Sequence, residues 1–455
     1  MIGDRKASGA SDGKLRRDLA YGVGGLLDSW GLSGFKNLAH QVLNIVLGVN
    51  PALIGTVMGL VRLWDAVSDP VAGTIIDNQR ERRGRRPFIV AGAVLSGLTF
   101  PLCWWIPAGF GQYAQFAWMM ATGVLFYTCF TIFNVSYHAF GYEIAPNYHE
   151  KARFFAVRTS IGTLTGLAVA WVFPLIQSGW FGAPRESVAI ISGLIAVVIA
   201  IAGAMPGWLL PEPAGAGRQA DHASKISMRT ALRVALTSRD FMGVAMSASL
   251  ATAGVNAVTV LGTYVNIYYV HAGEIKPAVF IGGVQFTVST IFILLCTPFM
   301  SMLSRWLGKR NALIACLLLA LVGSVSKWFF YTPSHPWLIL GVVFFLGPAN
   351  AGVRIFADAM ISDVCAKEAA DRGRHLEAVF GAVYTWMLKT GLALATLISG
   401  FLITGSGFDI SNGPVQSTET LFWLRAAFSF FPLVALMLSC LLLLGYRLDR
   451  NMKGN

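Results

Sequence analysis

The chain has 455 residues, of which 55% are hydrophobic and only 13% charged, with a mean hydropathy of +0.60. Soluble domains carry about 25% charged residues, so this composition excludes a water-soluble globular fold and implies a polytopic membrane protein. The net charge of +12 would suit a nucleic-acid binder, but most of the 35 Lys and Arg fall at the two ends and in alternate loops, which is the asymmetry that orients membrane helices. No nucleic-acid partner is expected.

Taken in order, the chain opens with a polar tail that carries Arg5, Lys6, Lys14, Arg16 and Arg17 and has no apolar core. No cleavable signal is expected, and the first apolar segment stays as a helix. A spanning helix needs about 20 apolar residues, and twelve such stretches follow: 19–47, 52–76, 88–106, 114–140, 154–175, 188–210, 242–270, 279–303, 312–330, 337–361, 378–403 and 421–444. Between the sixth and the seventh, 211–240 is polar and holds Gly, Pro and mixed charges, the composition of a linker. The predicted fold is all-α: a tail 1–18, an N-terminal six-helix bundle 19–210, a central linker 211–240, a C-terminal six-helix bundle 241–446 and a tail 447–455, with linker and both tails cytoplasmic.

The second stretch contains Leu-Trp-Asp-Ala-Val-Ser-Asp-Pro at 63–70. Asp65 and Asp69 stand four residues apart, hence on one face of a helix. A charge at bilayer depth costs about 3 kcal/mol or more, and two like charges side by side oppose each other's ionisation. The pair therefore calls for a proton, a metal cation or a basic partner. Lys389 sits some three turns into the eleventh stretch, too deep for a short reach to water, and is the candidate counter-ion. A fixed ion pair is the alternative, although two acids exceed one base.

Other polar side chains in apolar runs leave two readings each. Arg354 and Asp358 share a face of the tenth stretch and either neutralise one another or line a cavity, where the Arg would favour an anionic solute. Asp28, Lys36 and His40 share a broad face of the first. Arg158 offers bidentate bonds to an oxygen-rich ligand or serves as a cytoplasmic anchor. His138 is a hydrogen-bonded interior histidine or a ligand, and becomes proton-sensitive where water reaches it. Asn256, Thr259, Thr263, Asn266 and Gln285 recur at about helical period and either line a cavity or join helices. Arg82, Gly84, Arg85 and Arg86 after the second stretch are echoed by Gly308, Lys309 and Arg310 after the eighth, the glycines lying 224 residues apart. This faint repeat suggests two related halves, as in many secondary transporters, and a latch at equivalent loops beside ordinary positive-inside anchoring. The six cysteines are scattered without C-x-x-C spacing, so neither a metal cluster nor disulfides are expected.

Four stretches then carry a family resemblance: Arg62 to Pro70 with Gly84-Arg85-Arg86-Pro87-Phe88, Asn134 to Ala139 through Glu143 to Arg158, Met360-Ile361-Ser362-Asp363, and Glu377 to Gly391. Tyr21-Gly22-Val23-Gly24 adds an opening of the same kind. Together these resemble the glycoside-pentoside-hexuronide cation symporters, the melibiose permease group of the major facilitator superfamily. The resemblance implies the major facilitator fold and a coupling cation, Na+ or H+, held by Asp65 and Asp69 with help from Thr131; an Asn common between the acids is here Ser68. It places Arg158 at a substrate position. Other substrate positions depart: the acid expected early on helix one is Ser29, with Asp28 adjacent, that expected on helix four is Asn134, an aromatic position is Phe130 and a Trp position is His138.

The expectation is a secondary transporter in a bacterial inner membrane, a monomer in the lipid bilayer, that couples Na+ or H+ entry to uptake of a sugar, glycoside or sugar acid by alternating access. No cofactor beyond the ion is expected. The rivals are a carrier of lysolipids or other amphipathic solutes on the same fold, and a non-transporting sensor. No nucleophile-base constellation, P-loop or dinucleotide fingerprint speaks for an enzyme.

Overall fold

The computed structural model describes residues 15–107, 109–144, 148–212, 236–372 and 377–446. The expected N-terminal tail up to residue 14, the linker from 213 to 235 and the final tail from 447 lie outside them. Helix one, α1, is composite: Gly25–Ser29, π-helical Trp30–Gly34, Phe35–His40 and π-helical Gln41–Val46, preceded by a helical 15–22 and a turn at 23–24. The chain continues through α2 (Pro51–Arg83), α3 (Arg86–Thr99), α4 (Gln112–Ile144), α5 (Tyr148–Gln177) and α6 (Pro184–Leu209). Then come α7 (Arg239–Tyr264, extended by π-helical Val265–Val270), α8 (Ile275–Leu307), α9 (Lys309–Phe330), α10 (Val343–Arg372), α11 (Glu377–Gly405) and α12 (Thr418–Leu444).

Ten of the described helices are long and apolar enough to cross a membrane by length and composition. The exceptions are instructive: α1 is broken by its turn and π-helical stretches, and α2 carries Arg62, Asp65, Asp69 and Asp77. Along the others, large apolar side chains such as Leu194, Val197, Val198 and Ile201 on α6 and Leu294, Leu295 and Phe299 on α8 remain exposed. Hydrocarbon is their solvent, and the helical backbone bonds to itself except where Pro206 and Pro298 lack an N–H.

The chain sorts into two compact units, Met1–Val49 with Leu63–Ala223, and Asn50–Arg62 with Ser224–Asn455. In the first, rings fill the centre: Phe35, Phe100, Phe126, Tyr127 and Phe130 are all nearly inaccessible and meet edge-on or stacked. Glycines let backbones approach between them, as where Gly92 of α3 lies under Phe133 of α4. Such small-residue contacts are what drive helix association where the solvent is itself apolar. In the second, Phe241, Leu313, Phe356, Met360, Phe380 and Leu436 form the core. The start of α2 belongs here, its Gly55 facing Gly400 of α11 and the Ala52 N–H donating to the Thr404 hydroxyl at 3.1 Å.

The spacing of 224 residues recurs. It separates Gly84 from Gly308, both in the left-handed region at φ +69° and +79°, and also the π-helical ends of α1 and α7. Asn266 and Gln285 join helices: Asn266 donates to the Ala278 carbonyl at 2.7 Å, and Gln285 to Tyr331 and to the Ile339 carbonyl. Asn256 donates to the Thr252 carbonyl and Thr259 to the Val255 carbonyl, both within α7.

Candidate functional site

The first unit gathers a charged cluster where α1, α4 and α5 approach. Gly24 makes room for the Tyr137 ring, and a Cβ at Gly25 would stand 3.0 Å from the Arg158 carbonyl. Tyr21 and Tyr137 stack at 4.4 Å and exchange hydrogen bonds with each other's carbonyls at 3.3 and 2.8 Å, locking α1 to α4. One turn after Gly24, Asp28 is thereby driven between the two helices, 5% exposed.

Its carboxylate is held on both oxygens. Oδ1 accepts from Asn134 Nδ2 at 2.7 Å and faces His138 Nε2 at 3.3 Å, and Oδ2 accepts from Arg158 Nη2 at 2.7 Å. Arg158 Nη2 also lies 3.0 Å from His138 Nε2. The guanidinium packs 5.7 and 5.8 Å from the Tyr137 and Phe155 ring centres. Asp28, Asn134, His138 and Arg158 thus form one site rich in hydrogen-bonding groups, and the side chain of His138 keeps 30% of its surface open. Ser29 lies beside Gly162 of α5 instead, while Lys36, half-buried, and His40, fully buried, stand two and three turns further along α1.

A second cluster lies between α2 and α4. Asp65 is 2% exposed and Thr131 1%. The Thr131 hydroxyl donates to Asp65 Oδ1 at 3.5 Å and meets the Ser68 hydroxyl at 3.1 Å, while Ser68 donates to the Asp65 carbonyl at 3.2 Å. Asp69 follows one turn on, half-buried. Pro70 has no N–H to offer the carbonyl of Ala66, one turn back. The donor set is all oxygen, which suits a hard cation or a proton and not a soft metal.

Two further groups belong to the helix ends. Arg85 donates to Glu143 at 3.0 Å and to Asp77 at 2.8 Å, and its backbone N–H to Glu212 at 2.7 Å. Arg86 donates from its side chain to the carbonyls of Gly207 and Trp208 at the end of α6. In the second unit Lys309 bonds both oxygens of Asp363 at 2.7 and 2.6 Å, and Arg310 donates to the carbonyls of Leu443 and Leu444 at the end of α12. The arrangement repeats itself, base to acid and Arg to terminal carbonyls. Arg82 corrects the sequence reading: α2 runs on past the apolar stretch until Gly84 turns it, so Arg82 is an exposed helical residue and not part of a loop.

Lys389 stands on α11 of the second unit, half-buried. Arg354 and Asp358 lie exposed along α10, one turn apart. The acids Asp77, Glu143, Glu212 and Asp363 escaped sequence reasoning as partners of the basic loops, since each sits alone near a helix end. The matching 224-residue offset of the bases was the available signal.

Among known proteins, the isoprimeverose transporter of Lactiplantibacillus pentosus is 22% identical over 410 residues, covering 89% of this chain and 83% of the relative. A putative glycoside/cation symporter of Escherichia coli strain K12, YagG, is 24% identical over 434 residues, covering 92% and 89%. A glucuronide carrier protein homolog of the same organism is 23% identical over 455 residues, covering 99% and 94%. In fold, the chain resembles a bacterial homolog of the human lysosomal transporter Spinster, TM-score 0.71 at 14% identity over 96% of this chain and 98% of that one. It also resembles a D-xylose-proton symporter, TM-score 0.61 at 14% identity over 93% and 96%. Residues 20–450 match the model of a single family, and the chain belongs to it: the MFS/sugar transport proteins.

Proposed function

We propose that the chain couples entry of Na+ or H+ at Asp65, Asp69, Ser68 and Thr131 to uptake of a sugar, glycoside or sugar acid at Asp28, Asn134, His138 and Arg158. It is a multi-pass inner-membrane transporter and not an enzyme. The observation that carries the coupling is the single face of α4. Thr131, Asn134 and His138 recur at helical spacing, so the hydroxyl at the acid pair and the two groups at Asp28 lie within about 10 Å of rise on one rigid element. Filling one cluster is felt by the other through that helix. The names of relatives that carry glycosides and glucuronides agree with the oxygen-seeking character of the Asp28 cluster.

The scheme follows from electrostatics. An ionised acid pair without a cation resists transfer into a closed, water-poor cavity, and a bound cation lowers that cost, so ion and solute move together. Lys389 is the counter-ion in the ion-free state, and the bundles 19–210 and 241–446 alternate about the solute with Arg85, Arg86, Lys309 and Arg310 as inner latches. One charge moving down 100 mV gains about 2.3 kcal/mol, enough for roughly fifty-fold accumulation. The test is uptake into proteoliposomes of neutral sugars, glycosides, uronates and lysolipids under separately imposed sodium and proton gradients. Saturable accumulation of a sugar that collapses with one gradient is expected; uptake of lysolipid alone, or no flux, overturns the reading.

A further inference from the structure

His138 Nε2 is asked to serve two partners at once. It lies 3.3 Å from Asp28 Oδ1, an acceptor, and 3.0 Å from Arg158 Nη2, a donor. One ring nitrogen carries either a proton or a lone pair. With the lone pair, it accepts from Arg158 and sets two oxygen- and nitrogen-centred lone pairs against each other at Asp28. With the proton, it donates to Asp28 and faces the guanidinium N–H head-on. The neutral ring with its hydrogen on Nδ1 takes the first state and a second proton, on Nε2, imposes the other; the neutral Nε2–H tautomer would shift the bond without adding charge.

We propose that His138 is a proton-operated specificity residue: its protonation releases an N–H of Arg158 and gives the cluster the net positive charge that selects a solute bearing a carboxylate. This rests on the reading of the Asp28 cluster as the solute site. Around the imidazole, the titratable and charged groups among the described residues are Asp28 from α1, Arg158 from α5 and Tyr137 on its own helix. With neutral His138 the charges of Asp28 and Arg158 cancel, and both Nη2 hydrogens are committed, one to Asp28 Oδ2 and one to the ring. The proton that arrives from water forms the Nε2–H bond and breaks the Arg158 contact. That Nε2–H then donates to Asp28 Oδ1, and the freed guanidinium hydrogen has no acceptor until a solute supplies one.

A carboxylate is the acceptor that matches both the free donor and the new charge. The ring is open enough for the exchange, at 30% exposure, whereas Asp28 at 7% is shielded. The carrier would then move one proton on His138 together with the anion, in addition to any cation at Asp65 and Asp69.

The experiment measures binding of D-glucuronate and of uncharged D-glucuronamide to the purified full chain between about pH 8 and about pH 6. Glucuronate binding is expected to tighten about tenfold on acidification, the effect of one charge-assisted hydrogen bond, while the amide changes by less than about twofold. The amide also reports any general pH effect through the acid pair. In His138→Gln the difference between the two slopes is expected to vanish. In wild-type protein, the imidazole resonance that disappears in His138→Gln should titrate, with a midpoint that rises when glucuronate is added.

Parallel slopes for acid and amide, an unchanged difference in the variant, or a resonance that does not titrate overturns the proposal. Cation-dependent binding of the amide in that case leaves the carrier reading standing. Failure of both compounds to bind at any pH overturns the proposal, while the carrier reading then stands or falls with the liposome uptake of the other sugars and glycosides.

Discussion

Asp65 is sealed between helices with a hydroxyl on its carboxylate, a poor place to store a permanent charge and a good one to receive a transient one. Asp65→Asn keeps the shape and the hydrogen-bond capacity but removes the charge. We expect gradient-driven accumulation in proteoliposomes to fall to the level of equilibration, with elution and thermal stability preserved. Arg158→Lys tests the other cluster. Its point charge lacks the planar guanidinium face that packs against Tyr137 and Phe155, and solute affinity should drop about tenfold, read by titration of the purified variant. At this scale the acid pair stood out because two like charges one turn apart in an apolar run call for a proton, a cation or a base, the fixed ion pair being the alternative reading. The Asp28 cluster was only half legible: its members lie on three helices, and their meeting depends on the Gly24 and Gly25 contacts, whereas Lys36 shares the helical face but not the contact.

Elements were read well in the apolar middle and poorly at their charged ends. The helices α2, α8 and α10 run on to Arg83, Leu307 and Arg372, beyond the stretches expected to 76, 303 and 361, because a helix does not stop where hydrocarbon stops. Only a backbone signal ends two of them, a glycine at positive φ. Alanine at Gly84 must adopt a left-handed backbone, costing about 1–2 kcal/mol, and its Cβ would press on the Glu212 carboxylate at 2.7–2.8 Å. Gly84→Ala and Gly308→Ala should each lower the melting temperature in detergent, and at Gly84 the Glu212 carboxylate also has to move. The π-helical stretches of α1 and α7 were invisible to an apolarity count, which does not register the extra residue per turn.

For the whole molecule, the offset of 224 residues joins sequence to architecture. It was visible as a repeated Gly followed by bases, and the structure extends it to Arg86 and Arg310, which each reach the terminal carbonyls of the last helix in their own unit. A cation at a helix C-terminus contributes about 0.3–1 kcal/mol through the dipole, and loss of the part-buried and exposed hydrogen bonds to the terminal carbonyls adds to it. Arg86→Ala and Arg310→Ala should therefore destabilise by similar amounts, and the double variant by their sum, since the two arginines bond the ends of different helices; a shortfall from additivity in thermal unfolding would show the two sites to be coupled.

Those paired Arg clasps also bear on how the polypeptide can be divided. Each binds the beginning of a third helix to the finish of a sixth, so that either half is stitched shut by its own residues. A gene interrupted between codons 213 and 235 would yield two products with every clasp intact, and bacteria producing both fragments are expected to regain solute uptake that neither fragment confers alone.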